Sequence, residues 1–430
     1  MKPWICALAA SFLTAGLVTP ADAQFGCSTV ARAGQLDPDG LVYSNTFREE
    51  VAVNTSSDAV FVAKASGARD KLYFYPSVGA GQVVARADGP APSGGTFRSQ
   101  RAFFFLSVND VDDVAFFGEL VAGQGVFVRD GGALETGAVR SQTSPGGGVF
   151  DSFTMVGDID ASSQVPFVAT VAGGPGGAFL YASASDSLSS LALDGAATLD
   201  GREICATQAV DLGNAGFATV RATSKLDCSD GGESPRTGIF IVTGLGISTI
   251  VLDGDAAPLG GSTFSKFEDT PRINAGNDIA FHASTVGTPR TDGVFVWDFA
   301  TDTISTAVRK GDAAPVVGGS FAKNQSFDFD DAGDVILNVK LRASPALSGI
   351  FELGVVDTAA LVKTDAPPTD AFGIGSSFTR FSSTNGTSTD GYRIGLQVRV
   401  KDTAPPSAKA GVIRCAGSPS GAFIDGEVLL

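Results

Sequence analysis

One pattern constrains the fold of this chain more than any other: a three-part motif that recurs at intervals of roughly 55 residues. Its first part ends in a phenylalanine. The clearest copies are "ISTIVLDGDAAPLGGSTF", ending at Phe264, and "ISTAVRKGDAAPVVGGSF", ending at Phe321. Phe47, Phe97, Phe150 and Phe378 close further copies, and a weak one lies near Ile204. The second part reads "VNTSSDAVF" to Phe61, "VNDVDDVAF" to Phe116, "IDASSQVPF" to Phe167, "LGNAGFATV" to Val220, "INAGNDIAF" to Phe281 and "FDDAGDVIL" to Leu337. A seventh, degenerate copy runs through Gly391 to Leu396. The third part is a short apolar run containing Tyr73, Phe127, Phe179, Phe240, Phe295, Phe351 or Val412. Three markers in constant order predict one supersecondary unit, repeated.

Each unit reads as four short strands. The runs are rich in β-branched and aromatic residues and alternate with period two, which favours strand over helix. The turn after the first strand opens with Asn54, Asn109, Asp160, Asn274 or Asp330, whose side chains suit position i of a type I turn. Its fourth residue (Ser57, Asp112, Ser163, Gly216, Asn277, Gly333, Gly391) is predicted to adopt the left-handed conformation of a three-residue hairpin loop. Seven such units predict an all-β fold, a seven-bladed β-propeller of four-stranded antiparallel blades.

A ring must be fastened. The segment 28–47 matches the fourth strand and its connector, not the start of a unit, while the last unit lacks a good fourth strand. Residues 28–34 are therefore expected beside 411–414. The first 23 residues carry Lys2, an apolar run over 4–18 and Ala21-Asp22-Ala23, the layout of a secretory signal. The expected organisation is a signal peptide over 1–23, a propeller over 24–415 and a tail over 416–430. Four cysteines remain after cleavage, Cys27, Cys205, Cys228 and Cys415, and an exported protein with four cysteines allows three pairings. The repeat register chooses among them. Cys27 and Cys415 fall at adjacent strand ends, and Cys205 (connector into the fourth unit) shares a face with Cys228 in the long loop of that unit.

Composition excludes several functions. A net charge of −16 argues against nucleic acid as a partner. The single histidine, His282, excludes any site needing two imidazoles. No run after the signal is long enough to span a membrane. His282 lies on a strand with no G-x-S-x-G elbow near it, so it is expected to be packed or hydrogen-bonded between blades. Asp328, Asp330, Asp331 and Asp334 cluster in "FDFDDAGD", but two of them occupy ordinary turn positions, so turn stabilisation is expected and not calcium. Most of the 31 phenylalanines sit at repeat positions and read as core. No catalytic residue, cofactor or metal ligand is assigned from the sequence.

The ordered strings "INAGNDIAF", "DDAGDVIL" and "GDAAP-x-GG-x-F" resemble bacterial exported proteins with tandem N-x-x-G-x-x-x-F repeats of the choice-of-anchor type. That family carries no established enzymatic activity, so the resemblance implies no catalytic residue. The expected function is an exported, periplasmic or extracellular, monomeric propeller. It would act without catalysis, binding a protein or glycan ligand or serving as a structural module of the envelope. The alternative is a hydrolase or lyase with an acidic axial-channel site, assisted by calcium. Convergent carboxylates with an Arg or Lys partner at the axis would favour the enzyme. The expected binding surface is the longest loop, 222–237, with Lys225, Asp227, Asp230, Glu233 and Arg236. Long loops that are covalently fixed and contribute nothing to a core are where rigid scaffolds carry function.

Overall fold

The repeat markers fall on strands, Phe97 alone among those described standing in an isolated bridge to Leu120, and the strands assemble as the period requires. The computed structural model describes residues 26–417, apart from 68, 214–215, 315–318, 343–347, 354–357, 364–376, 382–391 and 402–408. The signal segment, the degenerate turn at Gly391 and residues 418–430 of the tail lie outside the described residues. The chain is an all-β propeller of four-stranded antiparallel blades. Six blades are each built from four consecutive strands. Their first, innermost strands are β2 (Tyr43–Val53), β6 (Phe103–Val108), β10 (Val149–Val156), β14 (Glu203–Leu212), β18 (Ser262–Ile273) and β22 (Ser320–Phe329). We number the blades one to six in that order.

A further four-stranded sheet joins the two ends of the chain. β26 (Ser377–Phe381), β27 (Tyr392–Lys401) and β28 (Lys409–Gly417) take their outer partner from β1 (Gly26–Arg32). β1 and β28 are antiparallel, with Ser28 opposite Arg414 and Arg32 opposite Gly411, the pairing expected for closure. The same register sets Cys27 opposite Cys415; the side chains of those two residues lie outside the described ones. This sheet contacts blade six through β26 and blade one through β27 and β28. Val30, Ala31 and Val412 pack into one apolar cluster with Phe47, Phe61 and Tyr73 of blade one.

The three repeat markers converge inside each blade. The phenylalanine of the second strand stands directly opposite that of the third: Phe116 and Phe127, Phe167 and Phe179, Phe281 and Phe295. The first marker adds its ring edge-on, with Phe97, Phe150 and Phe264 at 5.1, 5.1 and 5.0 Å from the third-strand ring. Aromatic rings prefer these offset and edge-to-face arrangements. Alternation then decides which neighbour each side chain meets. Phe116 packs toward blade one, while Ala115 and Phe117 pack against the triad of blade three. The core is thus a set of apolar layers between blades.

The turns take the expected form. The side chains of Asn54, Asn109, Asp160, Asn274 and Asp330 each accept the N–H four residues on, at 2.7–2.9 Å. Ser57, Asp112, Ser163, Gly216, Asn277 and Gly333 all have positive φ, between 58° and 87°. One detail differs from expectation. Cys205 lies inside β14, at a bulge between Ile204 and Ala206, and not in the connector. It is bonded to Cys228, with Cα atoms 5.3 Å apart.

Candidate functional site

The residue two places before each turn is set by alternation. Its neighbour nearer the turn (Val53, Val108, Ile159, Leu212, Ile273, Phe329) is apolar, so the preceding side chain faces the axis. From blade one to blade six that position reads Ala52, Ser107, Asp158, Asp211, Arg272 and Asp328. All six line a single cavity of about 240 Å³ where the inner strands end. Thr55, Asp110 and Asp331 stand among its further lining residues.

Arg272 organises the cavity. Its Nη1 lies 2.5 Å from Asp158 Oδ2 and 3.8 Å from Asp211 Oδ1, and its Nε lies 3.8 Å from Asp328 Oδ1. One guanidinium therefore faces carboxylates from blades three, four and six. β18 can deliver it because that strand is locally longer than its partner. The five residues from Glu268 to Arg272 span the distance covered by the three from His282 to Ala280 on the neighbouring strand. In β10, β14 and β22 the corresponding irregularity inserts a single residue.

The three carboxyls differ in environment. Asp158 is about half exposed, whereas Asp211 and Asp328 are 6% and 10% exposed. Burial pushes Asp211 up to about 8, with Asp158 and Asp328 adding to the rise and Arg272 opposing it. One cation faces three carboxyls, two of them buried, so proton affinity rises at the deepest of them. Burial by itself would lower Arg272, but Asp158, Asp211 and Asp328 outweigh it and hold the guanidinium charged. Asp211 Oδ2 accepts the N–H of Ile273 at 3.2 Å. Asp211 Oδ1 is buried and accepts no hydrogen bond, and Asp211 lines the cavity. The rim continues the acidic character. Asp110 Oδ1 accepts the N–H of Thr55 at 2.8 Å and Asp331 Oδ1 that of Ala275 at 2.6 Å, each bond linking neighbouring blades.

The charged residues of the long loop go elsewhere. The loop joins β15 (Ala218–Lys225) to β16 (Arg236–Thr243) and hangs from the opposite end of the blades from the axial cavity. Its side chains brace one another. Lys225 donates to the Asp230 carbonyl at 2.8 Å, Asp227 accepts from Ser229, and Glu233 bridges the Leu226 N–H and Arg202. Arg236 binds the Asp253 carbonyl and Asp255. Hydrogen bonds from Ser229 and Leu226 respectively hold the exposed Asp227 and the partly exposed Glu233 below the usual carboxylate range. The loop is thus a self-supporting unit tied to β14 by the disulfide.

Two further expectations resolve here. In the Asp-rich segment, Asp330 caps its own turn, Asp331 bonds to blade five and Asp328 faces Arg272. His282 is hydrogen-bonded within blade five and not between blades: Nδ1 is 2.7 Å from Asp269 and Nε2 3.1 Å from Asp292. The axial set was missed as a site. The signal was available once the repeats were aligned on their turns: four of six residues in one column are charged, on strands otherwise apolar at their inner ends.

Residues 124–392 match the family of unknown function DUF7453. The chain belongs to this family. The match runs from blade two into the closing sheet and takes in Asp158, Asp211, Arg272 and Asp328 of the DUF7453 chain. No curated protein matches it in sequence. Several solved structures are similar at low identity. An oligogalacturonate lyase from Vibrio parahaemolyticus is 9% identical, with 93% of this chain and 100% of that one covered and a TM-score of 0.48. The BP39L lectin from Burkholderia pseudomallei is 13% identical over 94% and 98%, with a TM-score of 0.44. An ulvan lyase is 10% identical over 95% and 96%, with a TM-score of 0.42. Among the described residues, no helix is long and apolar enough to cross a membrane.

Proposed function

We propose that this chain is an exported seven-bladed propeller, the end-to-end sheet being its seventh blade, that binds a small cation-bearing ligand in its axial cavity. The observation that carries this reading is Asp211: buried, facing the cavity, with one oxygen lacking a hydrogen-bond partner beside Arg272. Unsatisfied buried polar atoms are costly and mark places where a partner belongs. The cavity is smaller than the roughly 300–1,000 Å³ usual for drug-sized molecules, so the ligand is small. The rim and wall carry Asp110, Asp158, Asp328 and Asp331, and the lone guanidinium is already engaged by carboxylates. An anion would have to break those pairs, whereas an amine would join the carboxylates. The protonated Asp211 would donate to an acceptor on the same molecule.

A second reading is favoured by one specific feature. Carboxyls from three blades converge on Arg272 at the axis, the arrangement expected of an enzyme, and burial raises the proton affinity of Asp211, which suits a general acid. A hydrolase or lyase at this site would use Asp211 as the acid and Asp158 as the base. Isothermal titration with small amines, amino sugars and neutral sugars tests the binding reading. It expects heat from amine-bearing compounds, lost in Asp158→Asn. No binding by any amine, or binding unchanged in Asp158→Asn, would refute it. Product formed from an amino sugar glycoside, abolished by Asp211→Asn, would select the enzyme.

A further inference from the structure

Blade five holds a second cluster, separate from the axial cavity. β19 (Ile279–Gly287) carries His282, which is only 4% exposed. Its backbone partner across the ladder is Glu268 of β18. Asp292 opens β20 (Asp292–Asp298) on the other side. One imidazole nitrogen and one oxygen each from Glu268 and Asp292 lie within 4.8 Å of one another. Asp269 completes the group from behind, with its carboxylate 2.7 Å from His282 Nδ1.

We propose that Glu268, His282 and Asp292 bind a divalent transition-metal ion of the zinc or manganese class, with Asp269 orienting the imidazole. The division of roles follows from the two nitrogens. A carboxylate on Nδ1 fixes the proton there and turns Nε2 outward as the ligand atom, the arrangement that carboxylates impose on metal-binding histidines. Nε2 already faces Asp292 Oδ1 at 3.1 Å. Glu268 and Asp292 are about 30% exposed, which leaves an entry path from solvent beside a buried ring. One nitrogen and two carboxylates leave positions for water, the pattern of an open site and not of a closed structural one. The imidazole selects against calcium and magnesium, which prefer oxygen alone.

The other charges near the cluster set its competition. Lys266 pairs with Glu268, Lys310 lies near Asp292, and Arg221 acts on Asp269 and Glu268. Lys266 is two-thirds exposed and can swing away. A metal ion on Nε2 takes the place of any proton shared there with Asp292.

Metal-free protein dialysed against Zn²⁺ or Mn²⁺, with bound metal measured by mass spectrometry, tests the site. One equivalent is expected in the wild type and none at this site in His282→Gln. Glu268→Gln and Asp269→Asn leave the buried ring in place and are expected to weaken binding roughly 10–100-fold. They carry the test if the His282 variant fails to fold. Binding below one equivalent, undiminished in all three variants, or matched by Ca²⁺ would each overturn the assignment.

Discussion

Replacing Phe167 by alanine removes the centre of an aromatic layer. Its ring is fully buried and lies 5.7, 5.6 and 5.7 Å from those of Phe150, Phe153 and Phe179. A buried Phe→Ala change costs about 3–5 kcal/mol, the lost transfer free energy plus the cavity left behind. Within that, each ring pair accounts for about 0.5–1.5 kcal/mol. The melting entropy of globular proteins is about 2.1 cal/mol/K per residue, or about 0.8 kcal/mol/K for roughly 400 residues, so Tm should fall by roughly 4–6 °C. Phe105 is the control. It lies off the repeat, is 39% exposed, and meets only the rim of the same core through Phe117. Phe105→Ala should move Tm by less than about 1 °C. Differential scanning calorimetry reads both. Equal shifts, or a Phe167→Ala shift within about 1 °C of wild type, would refute the claim that the repeat phenylalanines carry the core.

Peptide mapping of unreduced protein should find Cys27 joined to Cys415, since their backbones are in register; two free thiols there would contradict the closure. Removing the Cys205–Cys228 bond, which closes a separation of 23 residues, should cost about 3 kcal/mol and leave the axial cavity unaffected. In metal-free protein, His282 has a folded value of about 9 against an ordinary 6.5. Its contribution to stability is therefore fully present below about 6.5 and lost as pH rises through about 9. The Tm difference between wild type and His282→Gln should shrink over that window, and a difference that grew with pH would contradict the ion-paired imidazolium.

The fold was legible because the same physics is written many times. Phe116, Phe167 and Phe281 recur with their partners because every blade solves one packing problem, and the turn residues recur because each hairpin needs one left-handed position. Closure was legible from what was missing, a fourth strand at one end and a surplus one at the other. The axial site was harder to read because each blade contributes a single residue to it. Asp158 and Arg272 are far apart in sequence, and neither belongs to a local motif. They become a group only when the inner strands are superposed around an axis. The bulge that extends β18 has no sequence signature beyond Pro271 beside Thr270, so the reach of Arg272 across the cavity could not be foreseen. The long loop drew attention through its charges, and those charges are engaged by backbone groups, Ser229, Arg202, Asp253 and Asp255.

The proposed site depends most directly on a carboxyl that keeps its proton in a cavity it shares with Arg272 and further carboxylates. Carbon-13 NMR of protein labelled at the Asp carboxyl carbons, with Asp211 assigned by its loss in Asp211→Asn, measures this. The account predicts a titration midpoint near 8 for Asp211. A midpoint for Asp211 in the ordinary carboxylate range, near 4, would contradict it.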